Sequence, residues 1–176
     1  RPVLALRTAW LTSEADVSAY MDVDLSSDLA HLPALVDPIA AGEADLAFGS
    51  RLAARSETQR GLLRETLSRG YVLILNTVLR LRVSDAQCGF KAISREAARA
   101  IIPLVRDGKW FFDTELLWVA QRNGYRLRGV PVRGVEDPDS SVALVRTCLR
   151  DPLGVWRLRP RSRPRAAPSA RASPWC

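Results

Sequence analysis

The chain has one histidine, His31, among 176 residues, and that scarcity removes a large group of hydrolases. A serine or cysteine nucleophile activated by an imidazole needs a histidine within hydrogen-bond reach, and His31 falls on a helix expected at the surface. Cysteine is nearly as scarce: Cys88, Cys148 and Cys176 are odd in number, far apart and without the paired spacing of a zinc site. They read as buried or idle thiols in a reducing compartment. No apolar run approaches the ~20 residues needed to cross a bilayer. The longest, VLILNTVLRL at 72–81, is about half that length. There is no signal-peptide pattern and no internal repeat.

Acidic residues are missing from one place. The segment 157–176 holds six of the 26 basic residues and none of the 19 acidic ones, so the formal net charge of +7 belongs mostly to it. Without that segment the two signs nearly balance, and specific nucleic-acid binding is not expected. Residues 159–176, rich in arginine, proline and alanine, are expected to form a disordered basic tail behind a domain at 1–158. The opening RPVLALRTAW reads like the interior of a helix, so the domain is expected to be incomplete at its N-terminus.

Apolar residues make up 47% of the chain, enough for one packed domain. Their spacing predicts a helix over 4–13 and a strand over 17–22. Ser26 or Ser27 is expected to cap a helix that runs to Ala41 with Pro33 in its first turn, and Gly42 stops it. Strands follow at 44–51, 89–94 and 125–132, with helices at 58–81, 95–105, 113–122 and 142–158. Alternating strands and helices imply an α/β sheet with binding loops at the strand ends.

One such end carries YMDVDLSSD. Asp22 and Asp24 at spacing two share a side of an extended chain, and two carboxylates so close can hold a hard divalent cation whose other positions go to water and phosphate. An isolated DxD also reads simply as a lead-in to a helix, with Asp28 favouring the helix dipole. FGSR at 48–51 puts Arg51 after a glycine turn, and Arg60, Arg64 and Ser68 recur every four residues along one side of a helix. Guanidinium groups there can grip a phosphate or simply face solvent. SDAQCGFKAIS sets Asp85 and Lys91 on either side of a glycine turn, and FFDTEL sets Asp113 and Glu115 at a helix start, where Glu115 reads as a cap and core anchor.

In this order, YMDVDLS, FGSR, RETLSR, DAQCGFKA, WFFDTELL, VPV and DPDSSV resemble glycosyltransferase family 2, in its branch related to dolichyl-phosphate mannosyltransferase and bacterial polyprenyl-phosphate glycosyltransferases. The resemblance runs from about Leu4 to Leu158. It implies a GT-A (Rossmann-like) fold and inverting transfer of a hexose from a nucleotide-diphosphate sugar to a polyprenyl phosphate, with Mg2+ or Mn2+. By position it implies that Asp22 and Asp24 hold the metal and donor diphosphate, with Lys91 at donor or acceptor phosphate. It places Arg51, Arg64 and Ser68 at the acceptor phosphate. A phosphate monoester, with a second pKa near ~6, is already largely anionic at neutral pH and needs no strong base. An alcohol acceptor would need one, and Asp85 or Asp113 would serve. Gly129 stands where the family often has glutamate.

The resemblance further implies a cytoplasmic location, with the inner face of the membrane as the place where a lipid acceptor is met by peripheral contact. Two other readings stand beside it. DVDLS could be the aspartyl nucleophile of a haloacid-dehalogenase-type phosphohydrolase, or the chain could be an inactive transferase fragment that serves only as a binding module.

Overall fold

The computed structural model describes residues 2–22, 27–52, 62–109 and 111–133, together with Val155 and Leu158. Asp24, Arg60, the DPDSS segment, most of the helix expected at 142–158 and the basic tail lie outside the described residues, as does the side chain of Arg64.

Among the described residues the elements follow one another as α1 (Pro2–Thr12), β1 (Val17–Met21), α2 (Leu32–Ala40), β2 (Leu46–Ser50), α3 (Leu62–Val78), β3 (Phe90–Ser94), α4 (Arg95–Ile101), α5 (Phe112–Arg122) and β4 (Leu127–Pro131). The strands form one sheet in the order β1-β3-β2-β4. Strands β2 and β4 are parallel, but β3 runs antiparallel to both β1 and β2. The α/β sheet is therefore a mixed one, a point on which the sequence is silent because hydrophobic periodicity reports which face a residue takes and not the direction of its strand.

Alternation along β2 and β3 feeds two cores. Leu46, Phe48 and Ile93 face a large cluster with Tyr71, Leu75 and Leu79 of α3, Ala97, Ala98 and Ile101 of α4 and Leu116 and Leu117 of α5. Ala47, Phe90 and Ala92 face the other way, onto Leu35 and Ile39 of α2. Each fully buried leucine or isoleucine contributes on the order of 1.5–3 kcal/mol of transfer free energy. Helices thus cover both faces of the sheet, and the strand ends are left for loops.

Several boundaries differ from expectation for identifiable reasons. Helix α3 ends at Val78 rather than near 81, because Arg80 takes a left-handed backbone (φ 53°) and turns Leu81 into the core. Asn76 secures that turn by donating to the Val83 carbonyl at 3.1 Å. Helix α4 gives way at Ile101 to a 3-10 turn, Ile102–Leu104, since Pro103 has no N–H to continue the α ladder. Ahead of α2, Ser26 lies outside the described residues, and Asp28 rather than Ser27 acts as a cap: its Oδ1 accepts the Ala30 N–H at 2.9 Å and starts a 3-10 turn at Leu29–His31. Ser27 is buried instead, 3.8 Å from the Cys88 thiol.

At the end of the sheet where β2 and β4 begin, Asp45 accepts two side-chain bonds from Arg126, at 2.9 and 3.1 Å, and the Arg126 backbone N–H at 2.7 Å. Burial works to raise the Asp45 pKa, but the hydrogen bonds and charge of Arg126 outweigh it and hold the carboxyl below its ordinary value. A depressed carboxylate stabilises the fold fully at neutral pH, and that contribution is lost as pH falls through its folded pKa. Both side chains are partly exposed, so Arg126→Ala is expected to cost only about 0.5 kcal/mol. The gap from the parent should close in strong acid, as read from denaturant midpoints across a pH series.

Candidate active site

The opposite end of the sheet gathers the residues singled out from the sequence. Strand β1 ends at Met21, and its next residue, Asp22, is exposed. The Asp22 backbone N–H donates to the Gly89 carbonyl at 2.9 Å, which carries the antiparallel pairing one step past Met21 and Phe90. The Asp22 side chain lies directly on the Gly89 backbone: a Cβ on Gly89 would stand 2.0 Å from Oδ2 and 2.2 Å from Cγ. Only glycine leaves room for that carboxylate.

Asp85 is buried in the loop that leads to β3. Its Oδ2 accepts the Arg51 backbone N–H at 3.2 Å and its Oδ1 accepts the Gln87 N–H at 3.0 Å. The Arg51 Nε lies 3.6 Å from Oδ2, and the Arg51 Nη2 donates to the Gln87 carbonyl at 3.3 Å. The two loops that follow β2 and precede β3 are thereby joined by one carboxylate and one guanidinium.

Lys91 faces the helix-rich core between Tyr20 of β1 and Phe48 of β2, its register partners. It is fully buried, and its Nζ donates to the Cys88 carbonyl at 2.5 Å and to Asp113 Oδ1 at 2.9 Å. Tyr20 donates its hydroxyl to the same Asp113 oxygen. Burial, then the charge of Asp113 and the hydrogen bond to it, then the charge of Asp22, push the Tyr20 pKa well above its ordinary value. The phenol keeps its proton and remains a donor. Cys88 is likewise pushed up, chiefly by burial, and stays an inert thiol.

Glu115, one turn along α5, is buried and accepts the Arg106 and Asp107 N–H groups at 3.2 and 2.7 Å. It anchors the loop ahead of α5, the core role expected of it. His31 accepts the Arg133 backbone N–H on its Nε2 at 3.0 Å, a structural tie between the start of α2 and the end of β4. Ser68 is half-buried on α3, on the side that continues into the buried Tyr71 and Leu75. Position 64 lies one turn before it in the same row. Asp22, Asp85, Arg51, Lys91 and Asp113 thus gather at one end of the sheet, and no contact among the described residues joins Ser68 to them. Tyr20 carries no chemical signal of its own in the sequence beyond its place on an alternating strand, which puts residues 20 and 22 on one face.

The glycosyl transferase family 2 profile matches residues 2–102, more than half of the chain. The chain belongs to glycosyl transferase family 2. A haloacid-dehalogenase reading of DVDLS is set aside by that membership, and the mixed sheet with helices on both faces is of the family's GT-A class. Among curated proteins this family 2 chain is 41% identical over 145 residues to glycosyltransferase AglD of Haloferax volcanii, a match covering 82% of this chain and 23% of that protein. It is 34% identical over 112 residues to a dolichyl-phosphate beta-glucosyltransferase of Dictyostelium discoideum, covering 57% and 34%. Among solved structures, glucosyl-3-phosphoglycerate synthase from Mycobacterium tuberculosis aligns with a TM-score of 0.48 at 18% identity, over 87% of this chain and 54% of that one. The chain spans from 23% to 46% of the length of such curated relatives.

Proposed function

We propose that this family 2 chain forms the catalytic region of an inverting glycosyltransferase that moves a hexose from a nucleotide-diphosphate sugar to a polyprenyl phosphate of the dolichyl type. The observation that carries the reading is the Asp22 carboxylate set on the Gly89 backbone at the strand end, beside the loop that holds Arg51. The family relatives that bear dolichyl-phosphate in their names support the choice of acceptor.

Asp22 and Asp24 would hold Mg2+ or Mn2+. Among the described residues no group of three or more histidine, cysteine, aspartate or glutamate side chains gathers into a cage. A site with one or two hard carboxylates suits an ion that keeps water and phosphate oxygens as its remaining ligands. When bound, the metal neutralises charge developing on the leaving diphosphate. Arg51, Arg64 and Ser68 would receive the acceptor phosphate by charge-assisted hydrogen bonds. Asp85 keeps the Arg51 backbone in place, and Asp113 is the carboxylate available for a substrate O–H.

Peripheral membrane contact has its support in α3. Leu67, Leu73, Ile74 and Val78 are exposed on one side of that helix, interleaved with Thr66, Gly70 and Thr77, and the exposed Arg69, paired with Glu65, stands at the edge of that side one turn before Leu73. Such a face fits the boundary of a lipid layer. No helix among the described residues is long and apolar enough to cross a membrane, so contact here would be lateral.

The deciding experiment supplies the full-length protein with Mg2+ or Mn2+, a panel of nucleotide-diphosphate hexoses and polyprenyl phosphate in vesicles, and follows labelled sugar into lipid. Transfer to the lipid phosphate that stops on chelation is the expected result. Transfer only to a water-soluble alcohol, or none to lipid phosphate, would overturn the acceptor assignment. Ile74→Glu is expected to weaken vesicle binding at least about tenfold, since it sets a charge into an apolar contact.

A further inference from the structure

The three-way contact of Tyr20, Lys91 and Asp113 is not explained by stability. A buried ion pair seldom stabilises a fold more than apolar side chains of similar volume would, yet Lys91 is wholly buried and its Asp113 partner is 25% exposed. The pair is asymmetric: the cation is sealed in the core and the carboxylate reaches the surface of the site. Both donors also converge on a single atom, Asp113 Oδ1. Among the described residues Oδ2 takes no hydrogen bond.

The donors are themselves held. Tyr20 and Lys91 are direct partners across the β1–β3 pairing, so their side chains leave the sheet side by side. Trp10 of α1 packs edge-on against the Tyr20 ring with centroids 5.4 Å apart. Lys91 Nζ sits 5.7 Å from the same ring centroid, and its bond to the Cys88 carbonyl ties it to the strip that carries Gly89. Asp113 stands in the first turn of α5, where a carboxylate is favoured by the helix dipole.

Resting on the transfer reaction proposed above, we propose that Tyr20 and Lys91 are positioning residues for Asp113. They fix its carboxylate in place by saturating Oδ1, and they leave Oδ2 to accept a hydroxyl of the donor sugar, a bond that strengthens in the transition state. In this arrangement Lys91 acts through Asp113. Its ammonium could reach a phosphate only by abandoning both Asp113 and the Cys88 carbonyl.

The test is a double-mutant cycle in the full-length protein, read as sugar transfer to polyprenyl phosphate. Tyr20→Phe keeps the ring against Trp10 and removes one donor, so it is expected to lower kcat about tenfold. Donor and acceptor KM should remain within about twofold, as expected when only a transition-state interaction is lost. In an Asp113→Asn background the same change should have no further effect, because a positioning residue without its client has nothing to position. Lys91→Arg should retain more activity than Lys91→Met. Should Lys91→Met fail to fold, the Tyr20→Phe cycle decides alone. Additive effects of Tyr20→Phe and Asp113→Asn, or a raised donor KM with unchanged kcat, would overturn the inference while leaving the transferase reading intact. Absence of transfer by the wild-type protein would overturn both.

Discussion

Gly89→Ala is expected to reduce sugar transfer nearly as far as Asp22→Ala, by at least about a hundredfold, the scale seen when a preorganised electrostatic contact at a reacting centre is lost. The reason is steric. The new methyl would stand 2.0 Å from Asp22 Oδ2 and 2.2 Å from Cγ, inside any tolerable contact, so the carboxylate must leave its place. The neighbour that has to move is an exposed side chain beyond the last residue of β1, and the strand pairing from Val17 to Met21 can stay as it is. Stability should therefore fall modestly, by about 1–2 kcal/mol, while Mn2+ binding measured by calorimetry with a nucleotide diphosphate falls with activity in both variants. Asp22→Ala/Gly89→Ala should be no worse than Asp22→Ala alone, because the clash disappears with the carboxylate. Full activity of Gly89→Ala would remove Asp22 from the donor site.

Much of this end of the molecule is legible in the sequence, for a physical reason. Strand ends announce themselves where an apolar run meets carboxylates or glycine. YMDVD marks the end of β1 and CGF the start of β3, whereas in FGSR the glycine lies inside β2, paired with Val130, and the strand runs on to Ser50. Helix α5 is equally plain from its two ends, with Asp113 and Glu115 in its first turn and Asn123 and Gly124 after its last, although its middle is buried without a break from Thr114 to Ala120.

What stays hidden is whatever depends on pairing. The direction of β3 carries no trace in its composition, and without it neither the Tyr20–Lys91 partnership nor the lysine's burial can be foreseen. A lysine after a glycine turn looks like a phosphate ligand, and only the register shows it facing inward toward Asp113. Gly129 illustrates the same limit. Read as a missing glutamate it is a gap, but in the fold a side chain there would meet the Phe48 ring at 3.2 Å and Ser84 at 3.3 Å. Close packing beside β2 is a sufficient reason for the glycine.

Asp85 offers the second large effect and separates two roles that look alike in the sequence. Read as a general base, it should control kcat. Its surroundings argue for another role, since Oδ2 is engaged by the Arg51 N–H and guanidinium and Oδ1 by the Gln87 N–H. Asp85→Ala would take this acceptor from the Arg51 and Gln87 backbone N–H groups and remove the carboxylate that lies 3.6 Å from the Arg51 Nε, in a place where the aspartate is 4% exposed. Removing one partner of such a buried pair costs about 3–5 kcal/mol, and that loss should appear directly in denaturant unfolding. Asp85→Asn keeps one acceptor oxygen and the same shape, and is the better kinetic probe. If Asp85 works by fixing Arg51 for the acceptor phosphate, Asp85→Asn should raise the polyprenyl-phosphate KM about tenfold, with kcat within about threefold of the parent. A base would show the reverse, a kcat loss of about a hundredfold or more at unchanged KM. Because the carboxylate already accepts hydrogen bonds through both oxygens, the KM effect is the expected result.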